Sequence, residues 1–320
     1  MKEADVQTKE TKETKEMLPL DGKRLGVLGK GGSGKSTIVV LLARALKHCG
    51  YEVCILDADS TNVGLHRALG LERSPAPLIE YYGGMVFSGG RVTCPVDDPT
   101  PLADANVSLD ELPVEYYARN EDGIYLLVGG KIAEKGPGAG CDGPISKIAR
   151  DLKIKGREDH ILTLIDFKAG FEDSARGVLT SLDWAIEVVD PTTAAMQMAV
   201  NLKEMANQIR AGQPPATRHL DVALAELAKK IFKQARIKGV LVVLNRVTDE
   251  EVESYMRVEL KKNGLEPIGT IHEEPSITAS WLRGTPLRAD ESSKDAEQIV
   301  EALEAAERST SVSVHPSEAA

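Results

Sequence analysis

Missing from this chain is any long apolar run: no stretch of about eighteen residues could span a membrane, and no apolar block near the start suits a secretory leader. Missing too is an excess of positive charge. With 39 Lys and Arg against 49 Asp and Glu the formal net charge is −10, and no basic stripe interrupts it, which argues against a nucleic-acid partner. Cysteine is scarce. Cys49, Cys54, Cys94 and Cys141 make no Cys-x-x-Cys pair and no disulfide framework, so a reducing cytoplasm is the expected compartment. Little at either end can be buried. The polar repeat Thr8 to Glu16 and the run from Ser309 to Ala320 predict disordered tails over residues 1–20 and 309–320.

What is present suits one large α/β domain over residues 21–308: 42% of residues are hydrophobic and 28% charged, enough for a sizeable core. The clearest signal is Gly29-Lys30-Gly31-Gly32-Ser33-Gly34-Lys35-Ser36-Thr37, between the apolar run Leu25–Leu28 and a helical run from Thr37 to His48. Strand, glycine loop and helix in that order form a phosphate-binding loop. Its glycines let backbone N–H groups close on a phosphate, Lys35 reaches the β- and γ-phosphates, and the Ser36 hydroxyl can hold Mg²⁺.

Lys30, a second lysine directly after the first glycine, narrows the reading. With it the loop resembles the deviant P-loop ATPases, which include MinD and ParA proteins, the nitrogenase iron protein and nickel-insertion ATPases. The resemblance implies a doubly wound, mostly parallel sheet flanked by helices on both faces. It also implies hydrolysis of Mg-ATP and an ATP-dependent homodimer in which Lys30 reaches the partner's nucleotide, as an arginine finger does elsewhere. Its alternative is a solvated loop lysine. Asp57 and Asp59 close the strand Tyr51–Leu56. The family's first switch would make Asp59 the residue that orients water and place Asp57 near Mg²⁺; both could instead cap the helix starting near Asn62.

Residues 72–125, with six prolines and no sustained helical period, read as an irregular insertion suited to partner recognition, because Ile79–Phe87 and Val107–Tyr117 are apolar enough to order. A strand over Gly123–Val128 ends in Gly130-Lys131, followed by a glycine-rich loop with Cys141 and Pro144 and a helix over Ile145–Leu152. This order is similar to the carbon monoxide dehydrogenase maturation ATPases of CooC type. That likeness implies a client metalloenzyme and nickel, or another metal such as zinc, held at the dimer axis. The family loop carries Cys-x-Cys, whereas this chain reads Cys141-Asp142-Gly143, so Cys141 is either a metal ligand or a small buried residue.

The strand over residues 160–166 ends in Asp166, and Asp166 to Gly177 resembles the second switch: Asp166 would hold Mg²⁺ through water and Gly170 would approach the γ-phosphate. Lys168 stands where the maturation-type pattern has glutamate, and Asp173 where it has histidine. Strands follow at Trp184–Val189 and Ile237–Leu244, with helical periods over Thr193–Arg210, Val222–Ala235 and Ala296–Arg308. Asn245 at a strand end would read adenine, or else cap a helix near Glu250. A loop from Gly269 to Pro275, with His272 and Glu273, would wall the base. Asp295–Arg308 is acidic, unlike the basic amphipathic anchor of MinD-type proteins, so no membrane anchor is expected. A ParA/MinD-like switch acting on a protein partner, with no metal cargo, is the competing function.

Overall fold

The computed structural model describes residues 17–131, 141–156 and 160–312. In chain order, β1 (Arg24–Gly29), α1 (Lys35–His48), β2 (Val53–Ala58), α2 (Leu65–Ala68) and α3 (Leu78–Tyr81) are followed by β3 (Asn106–Ser108), β4 (Ala118–Arg119) and β5 (Tyr125–Val128). Next come α4 (Gly143–Asp151), β6 (Lys153–Lys155), β7 (Leu162–Phe167), α5 (Glu172–Ala175), β8 (Trp184–Val189), α6 (Thr193–Arg210) and α7 (Val222–Lys233). The last elements are β9 (Gly239–Val247), α8 (Glu250–Lys262), β10 (Pro267–His272), α9 (Pro275–Arg283) and α10 (Ser292–Val312).

Eight strands make one sheet in the order β10-β9-β8-β1-β7-β2-β5-β4, parallel throughout except for the edge pair β4/β5. Every residue of β1, β2, β7 and β8 is buried, which is why these segments read as unbroken apolar runs rather than alternating ones. Helices α1, α2 and α10 cover one face and α3, α4 and α6 the other, giving the doubly wound sheet. β1 sits between β7 and β8, so the carboxyl ends of the central strands open onto the loop that starts α1, where ligands bind in such sheets.

Three expectations change. Leu20 is fully buried and α10 runs on to Val312, so the ordered chain extends past both predicted tail boundaries; residues 1–16 and 313–320 lie outside the described residues. The Gly269–His272 stretch is not a loop but the edge strand β10. Pro267 at its first position and Gly269 within it hid it, and an edge is where a sheet tolerates such residues. Residues 72–125 are a covering layer more than an irregular excursion. Leu78, Ile79, Met85, Val92, Val107, Leu109 and Leu112 join the core under α4, while Tyr81, Val86, Phe87 and Val114 stay exposed.

Candidate nucleotide site

Gly29 has φ 151°, Gly32 82° and Gly34 93°, and these turns fold the loop after β1 over the start of α1. A Cβ on Gly29 would lie 2.7 Å from both Ser33 Oγ and the Val188 carbonyl oxygen, so only glycine fits. Ser33 N–H donates to the Lys30 carbonyl at 3.1 Å, and Gly34, the residue before α1, gives the helix no side-chain cap. The first N–H groups of α1 are left for an anion, with the helix dipole behind them. Lys35 Nζ donates to the Lys30 carbonyl at 3.4 Å.

A cavity of about 620 Å³ opens in front of this loop. Gly31, Gly32, Gly34, Lys35, Ser36 and Thr37 line its floor, Asp59 one side, and Asn245, His272 and Glu273 the other. The sequence-predicted residues of the phosphate loop, the first switch and the base wall therefore meet around one space.

Carboxylates converge behind Ser36. Asp57 and Asp166 are register partners on β2 and β7. Ser36 Oγ donates to Asp166 Oδ2 at 2.6 Å and accepts from Asn62 Nδ2 at 2.7 Å. Asp166 Oδ1 is buried with no partner among the described residues. Burial, and then the negative charge of Asp57, push Asp166 up to about 7. Burial likewise pushes Asp57 up to about 6, against the ammonium of Lys131, whose Nζ donates to Asp57 Oδ2 at 2.7 Å and to the Asp59 carbonyl at 2.6 Å. A hydroxyl beside an orphaned carboxylate oxygen is a hard oxygen donor set, and Mg²⁺ fits it. Asp59 Oδ1 accepts from the Thr61 N–H and hydroxyl at 2.9 and 2.6 Å, which fixes its carboxylate at the cavity edge.

Lys30 lies 3.6 Å from Asp190 Oδ2 of its own chain, on the rim beyond β8. Gly170, with φ 102°, donates its N–H to the Gly29 carbonyl at 3.4 Å. Asn245 Nδ2 donates to the Ser33 carbonyl at 2.6 Å, so the expected base reader is braced on the phosphate loop; α8 is capped by Asp249, not by Asn245. His272 Nδ1 faces Asp295 at 3.0 Å, and Glu273 N–H donates to the Val247 carbonyl at 2.9 Å.

Sequence reading missed several residues here. Arg246 has φ 58°, unusual for a side chain of its size, and donates to the Gly32 carbonyl at 2.8 Å. Trp281 Nε1 donates to Thr37 Oγ1 at 2.8 Å, and its ring lies over Gly64, where a Cβ would come within 3.1 Å. Lys131 was seen only as part of a family pattern. A basic residue following a strand end carries no signal of its own until the strand order puts it beside Asp57.

Cys141 lies away from the cavity, at the start of α4; residues 132–140 of its loop lie outside the described residues. The next residue, Asp142, ties α4 to the segment after Asp166. Lys168 Nζ donates to Asp142 Oδ2 at 2.7 Å, and Arg176 pairs with Asp142 Oδ1 at 2.8 Å and with Asp173 Oδ1 at 3.3 Å. Burial works against the charge of Asp142, but the Lys168 hydrogen bond and the Arg176 guanidinium more than offset it and hold the carboxyl below its usual range. Lys168 and Asp173, two of the departures from the maturation-type pattern, thus both enter the ion-pair cluster around Asp142 and Arg176.

Residues 27–287 match the CobQ/CobB/MinD/ParA nucleotide binding domain family. The chain belongs to that family. An uncharacterized ATP-binding protein of Methanocaldococcus jannaschii is 29% identical over 285 residues, covering 88% of this chain and 99% of the relative. The carbon monoxide dehydrogenase accessory protein CooC of Rhodospirillum rubrum is 31% identical over 192 residues, covering 58% of this chain and 70% of CooC. In fold the chain is similar to the cell division ATPase MinD of Pyrococcus furiosus, with a TM-score of 0.52 at 19% identity over 89% of this chain and 99% of that one.

Proposed function

We propose that this P-loop protein is a Mg-ATP-dependent, dimerising ATPase that acts as a metalloenzyme maturation factor, delivering nickel or another metal. The observation that carries the ATPase reading is the Ser36 hydroxyl hydrogen-bonded to Asp166, with Asp57 in register beside Asp166 and Asp59 lining the same cavity, under the open N-terminus of α1. In this reading Ser36 and Asp166 hold Mg²⁺, with Asp57 near it. The cation supplies charge neutralisation to the transferring phosphoryl group. Lys35 and the α1 N–H groups bind the phosphates, and Asp59, fixed by Thr61, orients water. Lys30 leaves Asp190 for the nucleotide of a second copy. Asn245, His272 and Glu273 face the base.

Support for metal delivery comes from the partial likeness to CooC and from the ion pairs that join Asp142, next to Cys141, to Lys168 and Arg176. A change at the nucleotide that moves the segment after Asp166 would pull directly on the start of α4.

One preparation tests both layers. Asp59→Ala protein is loaded with ATP, exposed to Ni²⁺ or Zn²⁺, desalted and sized by light scattering, with metal analysis across the peak and Cys141→Ser beside it. The expected result is a dimer that carries metal and loses it in the cysteine variant, while Lys30→Ala stays monomeric. A monomer with bound ATP rejects the dimer cycle. A dimer without metal rejects delivery and leaves a nucleotide-switched regulator of a protein partner.

A further inference from the structure

The loop pattern supplies one thiol, Cys141, but the fold supplies a second from far away in sequence. The turn carrying Cys94 is fastened to α4: Lys147 Nζ donates to Thr93 Oγ1 at 2.7 Å and to the Asp98 carbonyl at 3.0 Å, and Arg150 donates to the Pro99 carbonyl at 3.0 Å. Both of these basic side chains are buried. The fastening sets Cys94 against the first turn of α4, next to Cys141.

Gly143 shows how close they come. The point where a Cβ would stand on residue 143 is 2.5 Å from Cys94 Sγ and 3.3 Å from Cys141 Sγ, so the two sulfurs face each other across the missing side chain. Burial pushes the Cys94 thiol up, partly opposed by the backbone N–H groups of Val96 and Asp97, so a cation displaces the proton as it binds, and the Arg176 guanidinium lies near both sulfurs. Among the described residues no group of three or more His, Cys, Asp or Glu side chains could hold a metal.

We propose that Cys94 and Cys141 of one chain form a dithiolate site for a soft, thiophilic cation. The proposal rests on the reading of Cys141 as a metal ligand and names its partner. Two sulfur–metal bonds form, and the two thiol protons pass to solvent. Soft thiolates select soft or borderline cations over Mg²⁺, so this site and the Ser36–Asp166 site take different ions. The pair holds a cation either alone, in a two-coordinate arrangement, or by joining the same pair of a second copy into a four-thiolate set.

The test uses the full-length protein, kept reduced with a phosphine and titrated with Cd²⁺, following the sulfur-to-cadmium charge-transfer absorption and the protons released. Wild type should bind one Cd²⁺ per chain, or one per two chains if the site is shared, with proton release. Cys94→Ser and Cys141→Ser should each weaken binding by roughly a hundredfold. Cys49→Ser, at an exposed cysteine outside the pair, should leave it unchanged. Gly143→Ala, which removes no ligand but crowds Cys94, should weaken it as well. Nucleotide binding and melting temperature confirm that each variant is folded. If Cys94→Ser is folded and binds Cd²⁺ as wild type does while Cys141→Ser does not, Cys94 is no ligand and the proposal fails, with metal at Cys141 still standing. If wild type shows no charge-transfer band, or Cys141→Ser keeps it, metal at this loop is itself rejected.

Discussion

Two corners of the molecule bury charge, and they do so in opposite ways. Behind Ser36, the carboxylates Asp57, Asp59 and Asp166 face the ammonium groups of Lys131 and Lys35, leaving negative charge in excess and Asp166 pushed up to about 7. At the start of α4, Asp142 and Asp173 face Lys168 and Arg176, and Asp142 is held below its usual range. A corner with uncompensated buried charge is built to receive a cation, because a bound ion removes a cost that folding left in place. A corner already balanced gains nothing from another ion at those groups. Its role is mechanical, holding the segment after Asp166 against α4.

The comparison can be broken most forcefully at Lys131. Lys131→Met removes the only cation hydrogen-bonded to Asp57 among the described residues, and should cost about 4 kcal/mol in denaturant unfolding. Adding Asp57→Asn should restore more than half of that. A loss below about 1 kcal/mol would mean that the corner is less dry than its burial indicates. The balanced corner should respond to charge reversal. Lys168→Glu places like charges together and should cost about 2 kcal/mol, less than the first because Lys168 is partly exposed. Nucleotide binding should persist while hydrolysis slows, and Asp142→Asn in the same chain, which removes the like charge and leaves Arg176 paired with Asp173, should recover part of the lost stability and rate. Failure of that rescue would detach α4 from the switch.

Glu187 sharpens the contrast, being a lone buried carboxyl on β8 with neither oxygen partnered among the described residues and pushed by burial up to about 8. Its folded-state value lies above the unfolded one, so the folded form keeps the proton longer. The penalty is absent in acid, grows as pH rises through the ordinary carboxylate range, and is complete above about 8. Glu187→Gln should therefore raise the melting temperature by ~3 °C at pH 8.5 and much less at pH 5. An equal gain at both would show that the carboxyl is not held neutral. The smallest effect is expected at Asn245. Asn245→Ala frees the Ser33 carbonyl and should weaken nucleotide binding about fivefold, read with a fluorescent analogue.

The two corners also differ in how far the sequence discloses them. The phosphate loop is one uninterrupted segment whose glycines, lysines and hydroxyls do their work within a few residues of one another, so spacing alone reveals it. Asp57, Asp166 and Asn245 were legible because they end apolar runs, and strand ends are where a parallel sheet gathers polar groups. Lys131 against Asp57, Arg246 against Gly32, and Cys94 against Cys141 were not, because each contact depends on which strands and turns become neighbours. The last is the sharpest case. The Cys-x-Cys spacing is broken at Gly143, and the same glycine makes the room through which a distant cysteine arrives. β10 was lost for a local reason, its proline and glycine imitating a loop.

Of the two tryptophans in the chain, Trp184 is buried and donates to Glu307 at 2.9 Å, while Trp281 lines the nucleotide cavity and donates to Thr37 at 2.8 Å. A single Trp184→Phe exchange would leave the cavity with the molecule's only indole emitter. The protein then carries its own optical gauge, reporting arrival and departure of a nucleotide in stopped flow, without a label and without waiting for turnover.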